Sequence, residues 1–305
     1  MESTMTITYE EALDGKQWEE TVMGERVTGN GILIDFPSDV QLRKEYFAGA
    51  DKGHPAKANL IMMDWLIQRL TKVGDTILDP TSGVGSLIYA TLSGRNVVNI
   101  ELEKHFCEIQ QLSWAFMNMN HKPTGKFLLL EGDARRYLPI VKLGEHYTTP
   151  YSESGGIDHC IFSPPYSVNI SRGGAKVAAM AAESGTFVGE YGQDRAQLAT
   201  LSYFNLLVAM KEIYRGVYNS LPVGGLLCTI TKDSVNTKAS SYRGLGGIEP
   251  YSADTVKICY EVGFELVELW QRDAKPSLRL QIAWSQNPGI PHVTTEEIII
   301  LRKTK

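Results

Sequence analysis

The 305-residue chain is short of several things. Its four cysteines, Cys107, Cys160, Cys228 and Cys259, lie far apart with no C-x-x-C pair. That excludes a disulfide framework and a paired-cysteine zinc site, and no metal is expected. No apolar run reaches the roughly 18 residues that a membrane span needs. The first residues are acidic and polar, not basic then apolar, so no signal peptide is expected and the chain reads as soluble and cytoplasmic. Basic charge is not in excess either: the net charge is -5 and the pI is about 5.8. A chain that coats nucleic acid non-specifically is usually basic, so whole-chain charge argues against that class. No tract is of low complexity, and with 43% hydrophobic residues and 21% charged ones the chain can build a real core.

The acidity is uneven. Residues 1–25 hold seven acids (Glu2, Glu10, Glu11, Asp14, Glu19, Glu20, Glu25) and one base, Lys16, so the rest of the chain sums to +1. Residues 1–41 therefore read as an acidic arm or peripheral segment, and 42–305 as the main domain. Gly29-Asn30-Gly31 is a turn signal before a short strand at 32–34.

From residue 54 the pattern is regular. Helical spacing runs over 56–73, with Leu60, Met63, Ile67 and Leu70 in register, and ends at Gly74. Strands are expected at 76–79, 96–102, 126–131, 157–162, 226–231, 264–270 and 297–302. Helices are expected at 83–93, 104–119, 203–221 and 252–262. Strands alternating with helices, and reading as near-continuous apolar runs, predict an α/β fold: a seven-stranded, mostly parallel sheet with helices on both faces. The last two strands have no helix between them and should pair antiparallel at one edge. Ligands in such sheets bind beyond the carboxyl ends of the strands.

Chemistry is therefore sought at those tips. After the first regular strand comes D-P-T-S-G-V-G-S (Asp79, Thr81, Gly83, Gly85, Ser86). Glycines let backbone approach a ligand closely and leave helix amides free to donate. The third glycine of a dinucleotide fingerprint is replaced by Ile88, and no Gly-Lys-Ser/Thr follows, so this is no phosphate cradle. The second strand ends at Glu101-Leu102, where an acid can accept from a ribose diol. The third ends in Glu131-Gly132-Asp133-Ala134, where Asp133 can accept from an adenine amine. Two such acids and a loop without phosphate-binding features predict an adenosine ligand lacking a pyrophosphate. S-adenosylmethionine fits, and its cationic centres suit an acid such as Asp79.

The fourth strand runs into Ser163-Pro164-Pro165-Tyr166. Two prolines fix φ and remove two amide donors, leaving rigid carbonyls as acceptors. The serine hydroxyl adds another acceptor, and the tyrosine ring a stacking face. This is a clamp for a planar group bearing an NH2. The exocyclic amine of cytosine or adenine is a poor nucleophile because its lone pair is conjugated into the ring. Hydrogen bonds from both N–H groups to Ser163 and the Pro164 carbonyl favour a pyramidal nitrogen able to attack a sulfonium methyl in line. A duplex substrate would have to flip its base out to arrive there. On this reading Tyr166→Ala abolishes transfer and spares cofactor binding.

These motifs resemble the amino-methyltransferases of nucleic-acid bases, which pair a D-P-F-x-G-x-G loop with [S/D/N]-P-P-[Y/F/W]. The Ser-first form most resembles the cytosine-N4-specific DNA methyltransferases. The resemblance covers about residues 42–303 and implies a Rossmann-like class I methyltransferase fold, S-adenosylmethionine as cofactor, duplex DNA as substrate, and a cognate restriction endonuclease as a partner. It also implies that the segment His54-Pro55-Ala56-Lys57 helps hold the methionine end of the cofactor through His54 and Lys57. Thr81 stands where the family usually has Phe, so one aromatic contact is lost. Room for a separate target-recognition domain is small. Loops 167–200 (Arg172, Lys176) and 232–251 (Lys232, Lys238, Arg243) are the expected DNA contacts.

Adenine-N6 DNA methylation and base methylation of transfer RNA stay open at this point. A protein-glutamine methyltransferase shares the P-P-Y logic but usually begins with Asn. Carbon-5 cytosine methylation is disfavoured, because Cys160 lies inside its strand, three residues before the tip. An inactive cofactor- and nucleic-acid-binding subunit would not need the intact S-P-P-Y.

Overall fold

A computed structural model describes residues 6–8, 33–47, 57–140, 156–165, 196–235, 247–274, 285, 289 and 291–305. Its strands are β1 (Thr6–Thr8), β2 (Leu33–Asp35), β3 (Thr76–Asp79), β4 (Asn96–Glu101), β5 (Phe127–Glu131), β6 (His159–Phe162), β7 (Leu226–Thr231), β8 (Ser234–Val235), β9 (Ile248–Glu249), β10 (Phe264–Asp273) and β11 (Thr295–Lys303). The helices are α1 (Val40–Phe47), α2 (Leu60–Leu70), α3 (Lys104–Asn120), α4 (Ala134–Tyr137), α5 (Tyr203–Ser220) and α6 (Tyr251–Val262). A 3₁₀ helix, Ser86–Ser93, follows the glycine loop. None of the described helices is long and apolar enough to cross a membrane.

Local chemistry sets the helix ends. Asn59 caps α2, its Oδ1 accepting from the N–H groups of Ile61 at 2.8 Å and Met62 at 3.1 Å. Ser202 caps α5. The 3₁₀ helix sits between two left-handed glycines, Gly85 and Gly94, both at φ +79°.

Nine strands form the main sheet, in the order β1-β2-β10-β11-β7-β6-β3-β4-β5. All neighbours are parallel except β11, which runs antiparallel to both β7 and β10. Alternate residues feed the two faces, as a pleat requires. Ile77, Val97, Ile161, Cys228, Ile298 and Ile300 pack under α2 and the 3₁₀ helix. Leu78, Val98, Cys160, Leu227, Ile299 and Leu301 pack against α5 and α6. All four cysteines are buried, free thiols.

The seven regular strands and the two-sided helix cover follow the sequence pattern. The strand count does not: β1 and β2 extend the sheet beyond β10, so β10 is not an edge. The short strand expected at 32–34 is β2, but its place in the sheet was not legible, since it meets β10 only at Gln271 and Arg272, and the three residues of β1 gave no signal. The division drawn between residues 41 and 42 falls inside α1.

The chain order reverses between β3 and β6, whose carboxyl ends lie side by side. This is the switch point at which an open α/β sheet has a crevice.

Candidate active site

The loop after β3 is held from below. Asp79 is 7% exposed, and its Oδ1 accepts from the Thr81 N–H at 2.9 Å. Gln110, fully buried on α3, donates to Ser82 Oγ at 2.8 Å and to the Gly83 carbonyl at 2.6 Å. Its Oε1 in turn accepts from Asn99 Nδ2 on β4 at 2.8 Å. Gly83 has φ +54° and donates its N–H to Glu101 Oε2 at 2.6 Å. A methyl group at Gly85 would meet Gln110 Cγ and Ile88 Cδ1, each at 2.8 Å. Gly85→Ala should therefore add left-handed strain of roughly 1 kcal/mol to a steric clash. A lower melting temperature and weaker cofactor binding by titration are the expected result.

Two buried acids face one cleft. Glu101 at the tip of β4 is 7% exposed and also accepts from the Glu103 N–H at 2.8 Å. Burial pushes its carboxyl up to about 7, against the pull of its backbone N–H donors. Burial pushes Asp79 further, to about 8; the Thr81 N–H opposes this and the Glu101 charge adds to it. Among the described residues neither forms an ion pair with a cation. Asp133 at the tip of β5 differs. Burial would raise it, but the Arg135 side chain, the Arg135 N–H and the charges of Arg135 and Arg136 together hold it below the usual range. Arg135 Nη2 lies 2.8 Å from Asp133 Oδ2. The acid expected to read adenine is thus held as an ionised acceptor.

Ser163 stands at the tip of β6 and donates its hydroxyl to the Ile230 carbonyl on β7 at 3.2 Å. With its proton committed there, Oγ presents lone pairs to anything approaching from the cleft.

The cleft has a volume of about 350 Å³, and its wall includes Lys57, Asp79, Thr81, Gly83, Ser86, Glu101, Leu102, Asp133, Ala134, Ser163, Pro164 and Pro165. The structure thus brings the glycine loop and Ser163-Pro164-Pro165 to one cavity. Gly85 is not among the residues of the wall. His54, Tyr166, Arg172, Lys176, Lys238 and Arg243 lie outside the described residues. Lys232 is half-buried and off the cleft wall; burial lowers its pKa, while Glu296, Glu297 and Asp273 work against that and Arg272 with it.

Several wall residues carried no sequence signal. Gln197 is 5% exposed and donates to Glu103 Oε1 at 2.6 Å. Glu296 lines the cleft and pairs with Arg272 at 2.6 Å. Phe106 was legible in principle, as an apolar aromatic in the first turn of the helix after Glu101. The donor set suits S-adenosylmethionine: acids for a ribose diol and cationic centres, an acceptor for an adenine amine, and, among the described residues, the wall cation Lys57 for a carboxylate.

The sheet order and the crevice at its switch point define a Rossmann-like α/β fold, and S-adenosylmethionine is the expected cofactor. Residues 17–112 match the family described as DNA methylase. That span holds the glycine loop and Glu101 and ends before Ser163. Among solved structures, the chain is similar to TrmN from Thermus thermophilus (14% identity, 82% of this chain and 50% of that one, TM-score 0.42). It is similar also to an S-adenosylmethionine-dependent methyltransferase from Methanosarcina mazei (11% identity, 78% and 97%, TM-score 0.47). A third is an rRNA methylase from Streptococcus thermophilus (13% identity, 82% and 99%, TM-score 0.38). The chain spans half the length of TrmN. No curated protein matches it.

Proposed function

We propose that this protein transfers a methyl group from S-adenosylmethionine to the N4 amine of cytosine in duplex DNA. The observation that carries the reading is Ser163-Pro164-Pro165 on the wall of the cleft that also holds Asp79, Glu101 and Asp133. Bound S-adenosylmethionine supplies an electrophilic methyl group. Glu101 accepts from the ribose diol, Asp133 from the adenine amine, and Asp79 faces the cationic end. Lys57, with His54 as a second member of its segment, holds the cofactor carboxylate. Ser163 Oγ and the Pro164 carbonyl accept the two hydrogens of the target amine, and Pro165 keeps that carbonyl rigid. Tyr166 stacks on the ring.

Positioning and preorganised acceptors carry the catalysis in this account. The base reaches the cleft by leaving its stack. Arg172, Lys176, Lys238 and Arg243 serve the phosphate backbone; Lys232, half-buried among acids, does not. A local basic rim suffices for one flipped base, so the acidic whole chain does not oppose the reading. A restriction endonuclease of the same recognition sequence is the partner against which such methylation protects.

The test is label transfer from methyl-labelled cofactor to unmodified duplex DNA, transfer RNA or bulk protein, offered separately. Label in DNA is expected. Label confined to RNA or protein would overturn the substrate assignment and leave the cofactor site standing.

A further inference from the structure

We infer that Arg43, on the helix preceding the catalytic motifs, is a positioning residue for the carboxylate end of the cofactor. The inference rests on the methyltransferase reading and adds to it a part of the chain outside the motifs. Arg43 is 6% exposed. Its Nε donates to Asp39 Oδ2 at 2.7 Å, one turn earlier on the chain. Its Nη2 donates to the Ala58 carbonyl and, at 3.2 Å, to Ser86 Oγ. Asp39 Oδ2 also accepts the N–H of Leu60, the first residue of α2, at 2.9 Å. The Phe47 ring covers the guanidinium, 5.8 Å from its centroid.

One buried cation therefore joins three pieces of chain: α1, the segment before α2, and the start of the 3₁₀ helix. Ala58 and Ser86, the two it grips beyond its own helix, both line the cleft, and Lys57 adjoins Ala58. A buried ion pair is a poor device for stability alone, because desolvation offsets its attraction. A planar fork that fixes several acceptors at once is a good device for geometry.

The charge on the walls says which end of the cofactor is affected. Glu101 and Asp133 stand at the tips of β4 and β5, on one side of the glycine loop, and suit the adenosine half. Ser86 closes the glycine loop and opens the 3₁₀ helix, away from those two strand tips in the chain, and Lys57 is a cation of the same wall. The cofactor has one anionic group, its carboxylate, which belongs beside Lys57. Arg43 sets the distance between the Lys57–Ala58 segment and Ser86, and so the shape of that end.

The experiment compares two probes by calorimetric titration: S-adenosylmethionine, and 5′-methylthioadenosine, which lacks the amino-acid tail. R43K keeps the charge and loses the fork. It should weaken S-adenosylmethionine about tenfold, the loss of one charge-assisted bond, and leave 5′-methylthioadenosine within about twofold. Ser86→Ala removes only the far partner, which protects the test against misfolding of R43K. It should shift the same ratio, and the double variant should fall short of additivity because the two act through one contact. Equal weakening of both probes, or a fall in melting temperature with the ratio unchanged, would make Arg43 merely structural and overturn the inference. If the unaltered protein bound neither probe, the methyltransferase reading itself would fail, and this inference with it.

Discussion

Ser163→Ala is expected to lower the rate of methyl transfer by about 10²–10³-fold while cofactor affinity stays within about twofold, the size of effect seen when one preorganised polar contact to a reacting centre is lost. The geometry gives the reason. Ser163 Oγ donates to the Ile230 carbonyl at 3.2 Å, so the oxygen faces the cleft as an acceptor. Removing it leaves one N–H of the target amine without its acceptor and the nitrogen lone pair conjugated. The acids proposed to hold the cofactor, Glu101 at the end of β4 and Asp133 just after β5, are untouched. Single-turnover kinetics with saturating cofactor separates the two effects. A variant that kept full rate would remove Ser163 from the reaction.

Asp79→Asn should produce two opposite changes, and pH separates them. In the fold Asp79 titrates near 8, against an ordinary 3.8, because burial disfavours its charge. A raised carboxyl stabilises the fold below its ordinary pKa, and that contribution is lost as pH rises through the folded value. Glu101 adds the same trend between an ordinary 4.5 and about 7. The ligand-free protein should therefore lose stability between about pH 4 and 8, by an amount on the order of a few kcal/mol. A cationic ligand reverses the balance, since it favours ionised Asp79. Cofactor affinity should rise with pH over the same window, and binding at pH 7 should release protons, read as a calorimetric enthalpy that depends on the buffer.

Asp79→Asn keeps the acceptor for the Thr81 N–H and removes the charge. Its melting temperature without ligand at pH 8.5 should exceed that of the unaltered protein. Its cofactor affinity should fall by about 10²-fold and lose most of its pH dependence, as removal of a buried charge from its partner implies. An unaltered pH profile would detach Asp79 from the cofactor's cations.

The parts of this fold that speak in sequence are those with strong periodicity. Strands β3, β4 and β7 are buried along nearly their whole length, so their apolar runs stand out between glycine-marked turns. The tips could be read because D-P-T-S-G-V-G and S-P-P-Y are chemically unusual. Arg43 stayed invisible because α1 has little apolar patterning, and a buried arginine looks like any surface one in sequence. Gln110 was hidden likewise: on α3 it reads as an ordinary polar residue, and only the fold places it beneath Gly83. Asp133 was legible as an acceptor, whereas its clasp by Arg135 depends on the turn that follows β5. Lys232 looked like part of a basic loop, and its burial among Glu296, Glu297 and Asp273 comes from β10 and β11, far away in the chain.

The central claim is amine methylation of cytosine in this cleft. It is tested most directly by incubating the protein with S-adenosylmethionine and unmodified duplex DNA, digesting to nucleosides and identifying the product by mass spectrometry. The account predicts 4-methylcytosine, formed about 10²–10³-fold more slowly when Ser163→Ala replaces the unaltered protein. Methylation only on adenine N6 or cytosine carbon 5, or 4-methylcytosine undiminished with Ser163→Ala, would contradict it.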